Sequence, residues 1–298
     1  MLPAHHRYQY SPIGKRPDYS WPGNKRLAFY VASNIEVFAF QSGFGPDPTS
    51  LSDVQTHRNY AWRDYGNRVG VWRLFDLFDE LDLPSSCLLN SYIYDYHPDI
   101  PERIRLRGDD IVGHGRTNSE RQKGLLEGDE RRLIADATQA ITRNEGRPPK
   151  GWLGAGSAES NVTLDLLAEA GYRYVLDWPC DDQPIWMKTS AGRILSIPYP
   201  FELNDIGQLI QRQHTPAEFA DMIVDQFDEM VRRCVDQPLV CALSLHTFIA
   251  GQPFRIPPLR RALKHIVEHA QKDRVWFTRA DAISDHCYGM QPGLIPGS

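Results

Sequence analysis

Residues 215–246 read TPAEFADMIVDQFDEMVRRCVDQPLVCALSLH and contain one full period of the chain's pattern. The first part is a long amphipathic helix, and QPLVCALSLH is a short apolar run of the kind a buried strand needs. The run ends at a histidine, His246. Working outward, the same alternation recurs. Towards the N-terminus RLAFYVASN (26–34) and SSCLLNSYI (85–93) read as strands, and DIVGHG (110–115) is another, ending at His114. YRYVLDW (172–178) and ILSIPYP (194–200) follow the same rule, and towards the C-terminus VWF precedes the last helix. Between them lie helices: GNRVGVWRLFDLFDELDLP with its apolar stripe, PDIPERIRLRG closed by Gly108, DERRLIADATQAITRNEG closed by Gly146, SNVTLDLLAEAG, and FRIPPLRRALKHIVEHAQK.

Strand and helix alternating at this spacing imply parallel strands with right-handed crossovers. About seven repeats in one unit predict a closed or nearly closed α/β barrel. The polar residues support this, because Asn34, Glu36, His114, Asp177 and His246 all fall at or just past the C-terminal end of an apolar strand. That rim is where barrel active sites are built. No G-x-G-x-x-G follows the first strand, so an open dinucleotide-binding sheet has little support. The expected organisation is an extended arm over residues 1–26, where Pro12, Pro17 and Pro22 break any periodicity, one barrel over 27–290, and a tail over 291–298.

Composition sets the outer limits. In 298 residues, 33 Lys+Arg face 38 Asp+Glu, a formal charge of −5 with 41% hydrophobic residues. Neither disorder nor a global attraction to nucleic acid or an anionic membrane follows from that balance. The N-terminus lacks the apolar region of a signal peptide, and no apolar run is long enough to span a bilayer, so a cytoplasmic protein acting on a small molecule is the expectation. Cys87, Cys180, Cys234, Cys241 and Cys287 are widely spaced and form no C-x-x-C, which predicts packing thiols for most of them. Homo-oligomerisation stays open.

Two histidines at matching strand ends are the chief candidates for chemistry, since imidazole serves as acid, base or metal ligand near neutrality. The other eight, His5, His6, His57, His97, His214, His265, His269 and His286, fall in the tail, loops or polar helix faces. Asp177, Asp181 and Asp182 follow a strand and read either as turn formers or, for one of them, as the carboxylate that orients a catalytic histidine. In GRPPKGW, Arg147 could orient a carboxylate; Trp152 and Trp178 are either core or a flat wall for a planar ring.

In order, the segments SNIEVF, DIVGHG with its NSE, GRPPKGW, SNVTLDLLAEAGYRYVLDWPCDDQPI, PYPFELND, SLHTFIAGQPFR and VWFTRADAI resemble the polysaccharide deacetylase-like (NodB homology) superfamily. The resemblance spans roughly residues 20–290 and is strongest to the allantoinase and cyclic-imide-hydrolase branch. It implies a distorted TIM-like α/β barrel that hydrolyses a C–N amide bond. The family's first motif pairs two acids, a base and a metal ligand; here they correspond to Glu36 and Val37. With the register shifted by one, Glu36 would be the ligand and Ile35 would occupy the base position. The family's H-x-x-x-H corresponds to His114 and Asn118, so a second ligand is missing. Because a hydrolytic zinc usually needs three protein ligands, no cofactor is favoured. A divalent metal, zinc for example, would have to use His114 with Glu36 and a further residue.

The resemblance also assigns Arg147 to positioning the base, Asp177 to orienting the last histidine and His246 to the general acid. Gly251, Pro253 and Arg255, with Glu202, Asn204 and Asp205 of ELND, match the small-molecule branch. The expected reaction is opening of a small cyclic amide such as a hydantoin, an imide or allantoin, by water that Glu36 or His114 activates. Asn34, Asn118 and Arg147 are the candidate oxyanion donors, and residues 41–66 a lid. The alternatives are a metal-dependent N-deacetylase of an N-acyl sugar and a degenerate barrel that binds without turnover.

Overall fold

The computed structural model describes residues 5–41 and 55–297. Among the described residues nine strands form one sheet: β1 (Leu27–Ile35), β2 (Ser85–Leu89), β3 (Asp110–Gly113), β4 (Gly151–Trp152), β5 (Tyr174–Val175), β6 (Ile185–Thr189), β7 (Gly192–Ser196), β8 (Leu239–His246) and β9 (Val275–Phe277). Their order is β6-β7-β5-β4-β3-β2-β1-β8, with β9 on β1. Every pairing is parallel except β6 with β7. Eight parallel strands and one antiparallel edge therefore replace the expected seven or so. The extra strand, IWMKT, is hard to see in sequence because WPCDDQP in front of it reads as turn.

Among the described residues ten α-helices flank the sheet: α1 (His57–Tyr65), α2 (Val71–Glu80), α3 (Ile93–Tyr96), α4 (Asp99–Arg107), α5 (Glu127–Glu145), α6 (Thr163–Glu169), α7 (Pro216–Arg233), α8 (Thr247–Ala250), α9 (Ile256–Glu268) and α10 (Ala280–Gly289). Gly108 and Gly146 end α4 and α5 at φ +71°, a conformation L side chains disfavour. Thr215 and Glu218 make a reciprocal capping box at the start of α7, satisfying two backbone donors left free at a helix N-terminus.

β1 shows why the sequence curls. All nine of its residues are buried. Leu27, Phe29, Val31 and Ile35 pack in the layer shared with α2, α7 and α9, whereas Ala28, Tyr30 and Ala32 pack in a second cluster with Leu88, Val112, Tyr174 and Leu195. Side chains alternating at the strand's period of two between the helix layer and an interior filled by alanines around Tyr30 suit a sheet bent on itself. The bend brings the segment after β7 against β8, where Ser244 N–H donates to Leu203 O and Asn204 bridges Ser244. The result is a curled, mostly parallel barrel with a thin closing seam.

The N-terminal segment is more than a surface arm. Tyr19 and Trp21 are buried in the second cluster, and Trp21 Nε1 donates to Leu239 O. At the other terminus Ile295 is buried there too, and Trp186 N–H donates to Pro296 O. Of the expected lid over 41–66, residues 42–54 lie outside the described residues, and 57–65 form helix α1. All five cysteines are free thiols. No helix among the described residues is long and apolar enough to cross a membrane.

Candidate active site

Strand register sets the rim. Asn34 of β1 pairs with His246 of β8, and Ile35 with Leu89 of β2, so the residues just beyond these strands converge on one end of the barrel. There a cavity of about 550 Å³ is lined by Asn34, Glu36, Arg63, His114, Asn118, Asp177 and His246. Its size is in the range of small-molecule sites.

Glu36 is its centre. The backbone around it is clamped by three asparagines: Asn67 Nδ2 donates to Glu36 O, Val37 N–H donates to Asn90 Oδ1, and Asn118 N–H donates to Val37 O. Glu36 Oε1 accepts from Asn118 Nδ2 at 2.7 Å and lies 3.5 Å from His114 Nε2 and 3.7 Å from His246 Nε2. Oε2 is buried without a hydrogen-bond partner. Burial pushes the Glu36 carboxyl up, but His246, His114 and Arg63 together pull it down further, leaving it below its usual range.

The two histidines are held differently. His114 Nδ1 lies 2.7 Å from Leu153 O. A carbonyl only accepts, so Nδ1 carries a proton and Nε2 is turned towards Glu36. His246 Nδ1 lies 2.7 Å from Asp205 Oδ1, while Asp205 Oδ2 accepts the His246 backbone N–H at 2.7 Å. Burial pushes His246 down, yet Asp205 and then Glu36 pull it up, and the net shift is upward. The carboxylate that orients the last histidine is therefore Asp205, from ELND, and not Asp177. Asp177 Oδ1 instead accepts Gly154 N–H at 2.9 Å, two strands beyond His114.

Other expectations shift as well. Arg147 is exposed and lines a separate cleft with Asp109, Asp110 and Arg279, beside the start of β3 at the far end of the sheet, so it cannot position Glu36. The cation near Glu36 is Arg63 of α1, whose guanidinium stacks on Phe38 and whose Nε donates to Asn59 Oδ1. It sat inside the presumed lid, where no periodicity marked it. Trp152 is core: fully buried, edge-on to Tyr172, with Nε1 donating to Gln122. Trp178 packs against Tyr8 and donates to Glu159; neither tryptophan lines the cavity. Asn34 lines it, but its amide nitrogen contacts Tyr199 Oη, Ser244 Oγ and Leu245 O, which ties the closing seam together.

Known proteins of this shape have related sequences. No protein-family model matches the chain. It is 23% identical over 283 residues to a Schizosaccharomyces pombe protein named "Putative polysaccharide deacetylase", covering 88% of this chain and 85% of that one. The structure of PuuE allantoinase superposes with a TM-score of 0.83 at 26% identity, over 96% of this chain and 99% of that chain. A "probable Polysaccharide deacetylase" of Pseudomonas aeruginosa gives 0.80 at 26% identity, over 95% and 96%. The chain is thus similar to proteins of the polysaccharide deacetylase-like superfamily, PuuE allantoinase among them, and shares the distorted (β/α) barrel of those solved structures.

The divalent metal that the resemblance implies does not fit these side chains. A hydrolytic site needs about three protein ligands converging on one point. Val37 packs against the apolar cluster. Asn118, an amide, stands where the resemblance expects an imidazole, and although His114 Nε2 and His246 Nε2 lie 3.5 and 3.7 Å from Glu36 Oε1, the three side chains do not bring all their donor atoms within reach of one ion. Among the described residues, the group of three His or acid side chains with donor atoms close enough for one ion is Asp228, His265 and His269, on α7 and at the end of α9, outside the cavity. No step of the chemistry below is therefore routed through a metal.

Proposed function

We propose that this protein opens a small cyclic amide of the hydantoin, imide or ureide kind by general acid–base activation of water. The observation that carries the reading is one buried carboxylate, Glu36, reaching the His114 imidazole on one side and the aspartate-held imidazole of His246 on the other.

The attacking water binds in the cavity against Glu36, whose Oε1 lies 3.5 Å from His114 Nε2. As it attacks the ring carbonyl, its proton passes to Glu36, which the positive charge gathered around it keeps ionised and able to accept. The C–O bond forms, and the tetrahedral oxyanion is stabilised by the guanidinium of Arg63, a role first looked for at Arg147. The C–N bond then breaks as His246 Nε2 delivers its proton to the departing nitrogen, with Asp205 stabilising the cation beforehand and fixing the ring's orientation. Glu36 and His246, 3.7 Å apart, exchange the remaining proton and reset the pair. Asn118 serves by aiming Glu36. The product is a ring-opened acid with a free amide or urea nitrogen.

Assays of the purified protein with hydantoin, succinimide, allantoin and N-acetylglucosamine oligomers test the reading; turnover of the oligomers alone overturns it. The names of the relatives favour a second reading, metal-dependent N-deacetylation of an N-acyl sugar. Stoichiometric zinc with EDTA-sensitive turnover would establish that one instead. A barrel that binds without turnover is excluded by measurable hydrolysis that is lost in both Glu36→Gln and His246→Ala.

A further inference from the structure

The cavity holds two carboxyl groups in opposite surroundings. Glu36, at the end of β1, faces His246, His114 and Arg63 and accepts from Asn118. Asp177, just past β5, is nine-tenths buried. Its Oδ1 accepts the Gly154 N–H, and its Oδ2 is buried with no hydrogen-bond partner. Gly154 is a glycine for a reason: a Cβ there would sit 3.1 Å from Asp177 Oδ1 and 2.5 Å from Gln122 Oε1, so any side chain would push the carboxyl away.

An ionised carboxylate placed like this would leave a buried anionic oxygen without a donor, which is costly. A protonated one turns that oxygen into a donor looking for an acceptor, and the acceptor arrives with the substrate. We propose that Asp177 is a specificity residue that remains a neutral carboxylic acid and donates its Oδ2–H to a carbonyl oxygen of the bound amide. This rests on the reading of the cavity as a small-amide site, and it narrows the substrate to rings that present an acceptor oxygen away from the carbonyl attacked at Glu36.

The titratable groups around Asp177 agree. Burial drives its carboxyl up to about 7, against the Gly154 N–H and His114, which pull the other way. Glu159, in the loop before α6, is driven up by burial and by Asp177 to about 9, while Arg7 pulls it down and Glu130 pushes it up. Glu36 and Arg121 face the same cavity, Glu36 shifted down. Two carboxyls whose environments push them apart take different roles, here a base and a donor.

Infrared difference spectra read the protonation state without any substrate. In protein whose aspartates carry a carbon-13 side-chain carboxyl, a protonated C=O band assigned to Asp177 by its loss in Asp177→Asn is expected at mildly acidic pH. It should fade as pH rises through about 7. Asparagine keeps both the acceptor for Gly154 and an N–H donor at the Oδ2 position, so Asp177→Asn should hold kcat/KM within about threefold and lose the wild type's decline above neutrality, whereas Asp177→Leu should fall by about tenfold or more, mainly through KM. No Asp177 band in the folded wild type, or an Asn variant as impaired as the Leu variant, overturns the proposal. If none of the ring amides is turned over, the ring-opening function fails, and the infrared band still decides whether Asp177 is neutral.

Discussion

Asp205→Asn separates the general acid from its support. Asp205 is fully buried and commits both oxygens to His246, one to the ring at 2.7 Å and one to the backbone N–H at 2.7 Å. An amide of the same shape can accept only one of these hydrogen bonds; its NH2 must point at the other position as a donor. The variant therefore loses a charge-assisted hydrogen bond worth about 1.5–3 kcal/mol, and at about 1.4 kcal/mol per decade kcat/KM should fall by about 10- to 150-fold. His246 is held above its ordinary value by Asp205 and Glu36 against the effect of burial, so removing Asp205 lowers it. Because the acid must be protonated, its contribution to the alkaline limb of kcat/KM moves to lower pH. Stability follows the same linkage. A raised histidine contributes stability that is complete below its unfolded value of about 6.5 and lost as pH rises through the folded value, so the variant should be most destabilised in mildly acidic buffer and converge on wild type above that window. Ring-opening rates across pH, with circular-dichroism melts of the same samples, make both measurements. A folded Asp205→Asn protein with kcat/KM within twofold of wild type and an unmoved alkaline limb would falsify this role.

Three further outcomes test separate parts of the reasoning. Glu36→Gln keeps a side chain that Asn118 can reach but removes the base, and turnover should fall by about 10²–10⁴-fold with the melting temperature held near wild type, as read by ring opening and calorimetry. Trp152→Ala should cost about 3–5 kcal/mol in urea unfolding, because the indole is fully buried core, while kcat per folded molecule stays unchanged; a large change in KM would restore it to the pocket wall. Asp110 is raised to about 7 by burial and by Asp281, so it contributes stability that is full below about 3.8 and lost as pH rises through about 7. Asp110→Asn should therefore be more stable than wild type by about 1–3 kcal/mol in mildly alkaline buffer, and the advantage should vanish in acid, as followed by denaturant unfolding.

The parts of this molecule that periodicity governs are legible in the sequence. β1, β8, α7 and α9 are long, and their apolar patterns repeat over several turns or several residues of alternation, so their existence and the rim they create follow from residue order. β5 and β4 are two residues each, and β6 hides behind a proline-rich turn, because these strands are specified by neighbours far away in sequence and carry no local pattern of their own. The site divides the same way. Glu36, His114 and His246 stand at the ends of readable strands. Asp205 and Arg63 lie in segments without period, and only the curl of the sheet brings ELND beside His246 and α1 beside Glu36. Assigning Asp177 to His246 erred for a related reason: a strand-end aspartate looks equivalent to any other until the order of strands is known. β5 lies four strands from β1 on one side, while β8 adjoins β1 on the other.

Asn118 is the residue through which the missing metal is best examined. A base carboxylate in a buried site needs charge or donors to remain ionised, and here the Asn118 amide, Arg63 and two imidazoles supply them. Asn118→His replaces that donor by a third imidazole close to His114 and Glu36, giving two nitrogens and a carboxylate, which is a ligand set zinc accepts. Two effects should then appear together. Equilibrium dialysis should find zinc bound by the variant under conditions where the wild type binds none at the site. Turnover in the presence of EDTA should drop by about tenfold or more, since Glu36 has lost a hydrogen bond to a charged group worth about 1.5–3 kcal/mol. If the variant stays fully active in EDTA, Asn118 does not aim the base. If it takes up no zinc, then Val37 at the acid position, and not the lost imidazole, is what bars the metal.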